Sequence, residues 1–303
     1  MMVTKGALGA KARAIAALAL VTCLTGCSGM LLDPQGPVGL QERQILYNSL
    51  GIMLVIVVPT IIATFWFAWW YRADNKRARY LPDWAHSGRV ELVVWSIPIV
   101  VILFLGGVIW VGSHRLDVFK PLDSKIKPVE VQVVALDWKW LFIYPEQGVA
   151  SVNKLVMPAG VPVHFTLTSA SVMNGFFVPQ LGSMVMAMNG MATQVSLQAD
   201  KPGTYYGEST QFSGDGFSGM HFEVDSVPAA QFAQWASGAH GAGPVLDGAG
   251  YAELSKQSED VKPFTYRAVD PRLFDAITTQ KLPSAPGPQV GRPDATVSPR
   301  SES

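Results

Sequence analysis

Two long runs of apolar residues occupy the first part of the chain, and shorter alternating segments follow them. The long runs cover residues 49–71 and 90–111, and each suffices to cross a bilayer, which takes roughly 20 helical residues. Pro59 and Pro98 interrupt them, which membrane helices tolerate because neighbouring groups bind the freed carbonyls. The pattern predicts a transmembrane hairpin over residues 49–111.

Beyond residue 112 the apolar and polar positions alternate in short segments that are separated by glycine and proline turns. Residues 161–167 and 220–224 show this period of two, which is typical of strands with one buried face. The spacing predicts an antiparallel all-β sandwich over residues 112–226. Within it, aromatic residues occupy every second position from Trp138 to Tyr144, which predicts that the four rings share one face of a strand.

The remaining segments differ in character from both regions. Residues 227–282 contain aromatic residues and a short helical pattern, and they are interpreted as a C-terminal extension. Residues 283–303 are rich in proline, serine and glycine, which predicts a disordered tail.

The N-terminal residues 1–26 have the pattern of a secretory signal, with basic residues before a short apolar stretch. They end in Leu24-Thr25-Gly26, and Cys27 follows, which resembles a bacterial lipobox, whose cysteine is acylated at its thiol and becomes the new N-terminus after cleavage. A plain signal peptide with an incidental cysteine is the alternative. Since Cys23 and Cys27 are the only cysteines, processing before Cys27 would leave no free thiol, and a thiolate metal site is excluded.

The distribution of basic residues predicts how the hairpin is oriented across the membrane. The loop at residues 72–89 carries most of the local cations, whereas residues 27–48 contain only Arg43. The positive-inside rule puts this loop in the cytoplasm and both flanks, with the β domain, on the periplasmic side. Charged residues make up 15% of the 303 residues and hydrophobic ones 49%, with zero net charge, so nothing indicates a nucleic-acid partner.

These features together resemble subunit II of haem-copper oxidases over nearly the whole chain. Glu91 followed by Trp95-Ser96-Ile97-Pro98 is similar to the start of that family's second helix, and Trp138-Lys139-Trp140 is similar to its aromatic segment. The segments at residues 174–182 and 203–222 resemble the two loops of its cupredoxin domain. The resemblance implies a two-helix membrane hairpin, a periplasmic cupredoxin-like sandwich and a short helical C-terminal extension.

In the cytochrome c oxidases of that family the two loops hold a binuclear copper centre. Only one position of that ligand pattern, Met220, matches here. The other positions differ: Asn174 and Phe217 stand at the histidine positions, Ser209 and Ser213 at the cysteine positions, and Gln211 at the position of a glutamate that lends its backbone carbonyl. A hydroxyl is a poor copper ligand and a phenyl ring is none, since this centre needs thiolates and imidazoles.

A chain with this fold but without the copper ligands resembles the copper-free branch of the family, the bo-type ubiquinol oxidases. It implies a non-catalytic subunit of a proton-pumping oxidase, with no catalytic residue and no cofactor of its own. Haems and copper would lie in subunit I, and ubiquinol would be the substrate. The implied partners are subunit I, the smaller membrane subunits, membrane lipid and the quinol pool, without a soluble cytochrome c.

Three features of the sequence allow two interpretations each. Glu91 is either the mouth of a proton pathway into subunit I, as the resemblance implies, or a carboxylate favoured by the helix dipole. The aromatic row favours packing over an electron route. The methionines at positions 184, 186, 188 and 191 favour inward packing on a strand. Capture of Cu(I) by their thioethers would instead indicate a copper-handling lipoprotein on a degenerate cupredoxin fold.

Overall fold

A computed structural model describes residues 30–79, 81–241 and 243–287. The expected signal peptide, Cys27 and residues 288–303 lie outside these described residues. The chain divides into two compact units, one formed by residues 40–120 and the other by the segments on either side of it.

The membrane unit consists of two long helices, α1 (Pro37–Trp70) and α2 (Gly88–Arg115). Both are long and apolar enough to cross a membrane. Each helix extends beyond its apolar run because hydropathy marks the span, whereas polar residues such as Gln41 and His114 continue the helix into the interface. Gly112 lets the helices approach closely, since a Cβ there would lie 2.8 Å from Cδ1 of Ile45.

The second unit contains a sandwich of two sheets, which confirms the predicted fold class. The first sheet has the strand order β12-β3-β2-β1-β5-β8 and the second β4-β10-β9-β6-β7. The strands are β1 (Val129–Leu136), β2 (Lys139–Tyr144), β3 (Val149–Val152), β4 (Lys154–Pro158), β5 (Val163–Ser169), β6 (Asn174–Phe177), β7 (Val185–Ala187), β8 (Thr193–Leu197), β9 (Gly203–Ser209), β10 (His221–Val227) and β12 (Phe264–Tyr266).

The sandwich is mixed rather than antiparallel. Strand β1 pairs in parallel with β5, and β4 pairs in parallel with β10. The prediction of an antiparallel sandwich was therefore wrong at these two pairings. Alternation reports which face of a strand is buried, but it carries no information on the direction of its neighbour.

Aromatic rings fill the space between the two sheets. Trp140 and Phe142 on β2 lie within 6.5 Å, centroid to centroid, of Phe176 on β6 and Phe222 on β10, and all four side chains are fully buried. Such edge-to-face packing adds to the burial of apolar area. Because these rings interlock, the packing interpretation of the aromatic row fits the structure for the strand residues.

Trp138 does not belong to that row. It has a φ of +63° and lies in the turn between β1 and β2, where the Trp138 amide N–H donates to the Leu136 carbonyl. Trp138 therefore precedes β2 (Lys139–Tyr144), and the prediction of four rings on one strand holds only for Trp140, Phe142 and Tyr144.

The C-terminal extension covers the outer face of the first sheet. It contains α3 (Ala229–Ala239), β11 (Val245–Leu246), α4 (Gly248–Leu254), β12, β13 (Ala268–Val269) and α5 (Leu273–Thr278). Leu254, Phe274 and Ile277 of the extension belong to one apolar cluster with Leu141 and Ile143 of β2. All six residues of β2 are consequently buried, so this sheet is covered on both faces.

The segment that begins the predicted tail also makes contacts. The amide N–H of Ala285 donates to the Ala170 carbonyl at 2.9 Å, and that of Gly287 donates to Oδ2 of Asp137 at 2.7 Å. Residues 283–287 are thus held against the sandwich, which corrects the prediction of disorder for these five positions.

Candidate functional site

The two loops that resemble copper-binding loops meet at one end of the sandwich. Asn174 begins β6 and Ser209 ends β9, and the Ser209 hydroxyl donates to Oδ1 of Asn174 at 3.3 Å. Ser213 and Met220 stand on either side of a short 3₁₀ helix, with the Ser213 hydroxyl 3.9 Å from the sulfur of Met220. These four side chains are buried. The structure therefore brings together residues that are up to 46 positions apart in sequence.

Backbone hydrogen bonds explain why the loops keep this arrangement. The amide N–H of Ser209 donates to the Met220 carbonyl at 3.1 Å, and that of Thr210 donates to the Gly175 carbonyl at 3.0 Å. Gly175 is required at its position, because an added Cβ would overlap the hydroxyl of Thr210. The loops are closed by main-chain contacts and do not depend on a bound group for these links.

The other two positions are less enclosed. The ring of Phe217 packs edge-to-face against Phe212, with centroids 5.6 Å apart, and Phe212 is 67% exposed. Gln211 is half-buried. The structure thus groups Asn174, Ser209, Ser213 and Met220 into buried pairs, while Phe217 is engaged with an exposed ring.

The chemistry of these side chains does not suit a binuclear copper centre. The buried donors are one amide, two hydroxyls and one thioether, so Met220 supplies the single soft ligand, and the phenyl ring of Phe217 supplies none. Within the described residues, no group of three or more histidine, cysteine, aspartate or glutamate side chains is arranged to hold a metal ion. The side chains grouped at this loop end are therefore not the donor set of such a centre.

The sequence reasoning missed a pair of buried charges beside these loops. Asp137 and Lys139 flank Trp138 in the turn between β1 and β2, and they are 3% and 1% exposed. Burial lowers the pKa of Lys139 to about 8, although the negative charge of Asp137 opposes this shift. Burial also raises the pKa of Tyr251, and the same carboxylate adds to that effect. Charged residues on both sides of a tryptophan in an otherwise apolar segment were the available signal.

None of the four methionines is buried, since Met184 and Met191 are exposed and Met186 and Met188 are half-buried, which contradicts the prediction of inward packing. Val185 and Ala187 of β7 are buried, whereas Met184 is 44% exposed and Met191 is 52% exposed. Alternate residues do lie on opposite faces, but valine and alanine occupy the buried face instead of methionine. Because valine and alanine are also apolar, the sequence pattern fits either face. The sulfur of Met184 accepts a hydrogen bond from the Thr210 hydroxyl.

Glu91 lies in the first turn of α2, within the membrane unit. Its Oε1 is 2.5 Å from Nδ1 of His86, and both side chains are at least half exposed. The helix N-terminus favours a carboxylate here. The structure thus supplies a titratable neighbour that the sequence reasoning did not name.

The chain is similar to known proteins over most of its length. Residues 130–227 match the family described as the periplasmic domain of cytochrome c oxidase subunit II, and residues 241–280 match the aromatic-rich motif of the same oxidases. A curated relative from Pseudomonas aeruginosa, cytochrome bo(3) ubiquinol oxidase subunit 2, is 47% identical over 87% of this chain and 80% of its own length. The chain belongs to the ubiquinol oxidase subunit 2 family.

Two further relatives support the assignment to the ubiquinol oxidase subunit 2 family. Ubiquinol oxidase subunit 2 of Acetobacter aceti is 44% identical over 91% of this chain and 90% of its own length. Quinol oxidase subunit 2 of Bacillus cereus is 38% identical over 79% and 83%. As a family member, the chain is a two-pass inner-membrane protein with a periplasmic domain, and it is part of a respiratory oxidase complex with subunit I. The comparisons favour this assignment over a copper-handling lipoprotein.

Proposed function

We propose that this chain is a structural and assembly subunit of a proton-pumping ubiquinol oxidase and has no copper centre and no catalytic residue of its own. The observation that carries the proposal is the donor set at the loop end. Asn174, Ser209 and Ser213 are buried where copper ligands would be expected, and they satisfy part of their hydrogen bonding with one another or with Met220. Neutral hydroxyl and amide groups do not hold mixed-valence copper.

The absence of a copper relay agrees with a donor that arrives through the membrane. A soluble cytochrome must deliver electrons to a metal at the outer surface, whereas ubiquinol can reach a haem of subunit I from within the bilayer. The partners are then subunit I, with its haems and copper, the smaller membrane subunits, and the lipid and quinol pool. Acylation at Cys27 would add a second attachment to the membrane beside the two helices.

Purification of the complex in mild detergent tests the electron donor. We expect ubiquinol to drive oxygen uptake and reduced soluble cytochrome c to give only the background rate. Copper analysis of the same sample should find the metal in subunit I alone. Efficient oxidation of the cytochrome, or copper that separates with this chain when the subunits are resolved, would disprove the proposal.

We further propose that Glu91 lies at the cytoplasmic mouth of a proton pathway into subunit I, as the resemblance implies. Replacing Glu91 with glutamine removes the titratable group and keeps its size, so we expect slower ubiquinol oxidation in a complex that still assembles. The expected loss is about 100-fold, the lower end of the range for removing a group that transfers protons. Turnover and haem content are measured on the same preparation.

A matched control separates proton transfer from helix stabilisation. Replacing Asp83, an exposed carboxylate in the loop before α2, with asparagine should leave turnover within about twofold, as surface substitutions usually do. Wild-type turnover in the fully assembled Glu91→Gln complex would contradict the proposal and leave Glu91 as a first-turn carboxylate favoured by the helix dipole.

A further inference from the structure

The buried turn at Asp137, Trp138 and Lys139 contacts four separate segments of the periplasmic unit. On one side, Nε1 of Trp138 donates to the Ser213 carbonyl at 3.0 Å. The Trp138 ring also covers Gly216, where an added Cβ would lie 2.5 Å from Cδ2 of the ring. The central residue of the turn is thereby tied to the loop that carries the inherited ligand positions.

The two charged side chains hold the C-terminal extension. The ammonium of Lys139 donates to the Lys256 carbonyl at 2.7 Å and to the Ser258 hydroxyl at 2.5 Å. It also donates to the Asp137 carbonyl at 3.4 Å. These acceptors satisfy the donors of a buried cation, which otherwise carries a large desolvation cost.

The carboxylate of Asp137 contacts the extension, the segment that begins the predicted tail and a further loop. Its Oδ2 accepts from the Gly287 amide at 2.7 Å and from Nε2 of Gln257 at 3.4 Å. Its Oδ1 accepts from the Ser171 hydroxyl at 2.5 Å, in the loop between β5 and β6. A buried carboxylate that loses such donors keeps its desolvation cost without compensation.

The backbone makes these contacts dependent on one another. Trp138 has a left-handed φ of +63°, a conformation that persists only where the surroundings determine it. Consecutive residues cannot move independently through such a turn. Displacing the Trp138 ring therefore disturbs the adjacent Asp137 and Lys139, and releasing those two removes the support of Trp138.

We propose that Asp137, Trp138 and Lys139 form a latch that couples the C-terminal extension to the loop at residues 213–216. When the extension leaves the latch, that loop loosens, and when the loop is displaced, the segment at residues 256–258 loosens. The latch goes beyond an assembly role, because it makes the order of the loop end conditional on the docking of the extension.

Hydrogen exchange measured by mass spectrometry on the purified complex tests the coupling in both directions. Gly216→Ala forces the added Cβ against the Trp138 ring, so we expect the amides of residues 256–258 to exchange on the order of tenfold faster. Ser258→Ala removes one acceptor of Lys139 on the far side. Since coupling is reciprocal, it should accelerate exchange at residues 213–216 by a similar factor.

Two controls keep the result specific. Gly248→Ala in the extension adds a Cβ with nothing within 4 Å and should change exchange at neither segment. Exchange in β4 and β10 should stay unchanged in every variant, which excludes global loosening. Acceleration confined to the segment that carries the substitution would overturn the proposal. If Gly216→Ala does not assemble, the Ser258→Ala variant decides alone.

Discussion

Ending the chain after His240 should prevent the periplasmic domain from folding. The truncation removes α4, β12 and α5, and it exposes the outer face of β1 and β2, including Val134, Leu136, Leu141 and Ile143. Exposing four such side chains forfeits about 6–12 kcal/mol at roughly 1.5–3 kcal/mol each. That is comparable to the whole stability of a typical domain, about 5–15 kcal/mol.

Immunoblots of membranes and the haem spectrum of the purified complex would measure this effect. We expect little of the truncated chain to accumulate and little complex to assemble. A chain that ends after Gly287 is the matched control, because it keeps every contact described for the extension, and we expect it to assemble normally. Full assembly of the His240 truncation would show that the sheet tolerates a bare outer face.

Restoring the donor set should create a copper centre where the loops meet. The chain would carry five substitutions: Asn174→His, Ser209→Cys, Gln211→Glu, Ser213→Cys and Phe217→His. Met220 is already present, and its sulfur lies 3.9 Å from the Ser213 hydroxyl. With thiolates, imidazoles and a thioether together, we expect strong copper binding in place of none, because these soft ligands suit copper.

The measurement is copper content and visible absorption of the substituted complex after reduction and loading, since two nearby cysteines oxidise in the periplasm. A chain with the two cysteines alone is the control and should hold copper far less tightly. If the complex assembles and no binuclear copper forms, the proposed correspondence of the five positions with copper ligands is wrong. The outcome thus tests the residue assignments independently of the family assignment.

The sequence was most informative where one physical signal dominates. Apolar runs of membrane length predicted both helices, since few other structures require such runs. The placement of Ser209 and Ser213 at cysteine positions rests on the resemblance to the family and stays a prediction. The ends of α1 at Pro37 and α2 at Arg115 could not be read, because polar residues continue a helix beyond the bilayer.

The prediction failed where distant segments decide the environment. All of β2 is buried because the extension, about 100 residues later in the chain, covers its second face, whereas alternation presumes one solvated face. Lysine is usually a surface residue, and Lys139 is buried because the C-terminal extension covers it and the Lys256 carbonyl accepts its hydrogen bond. The outward direction of Met184 was undetermined because both faces of β7 are apolar in sequence. Such features depend on tertiary contacts that periodicity does not contain.

Backbone hydrogen bonds attach the segment just before α1 to the β domain. The amide of Gln35 donates to the Gln180 carbonyl at 2.7 Å, and the Gln35 carbonyl accepts from the amide of Asp200 at 2.8 Å. An acyl group on Cys27, as proposed, would be eight residues away along the chain. A fully extended segment of that length spans at most about 28 Å, at roughly 3.5 Å per residue. The lipid would therefore stay beside its own domain and limit how far that domain can rise from the bilayer surface.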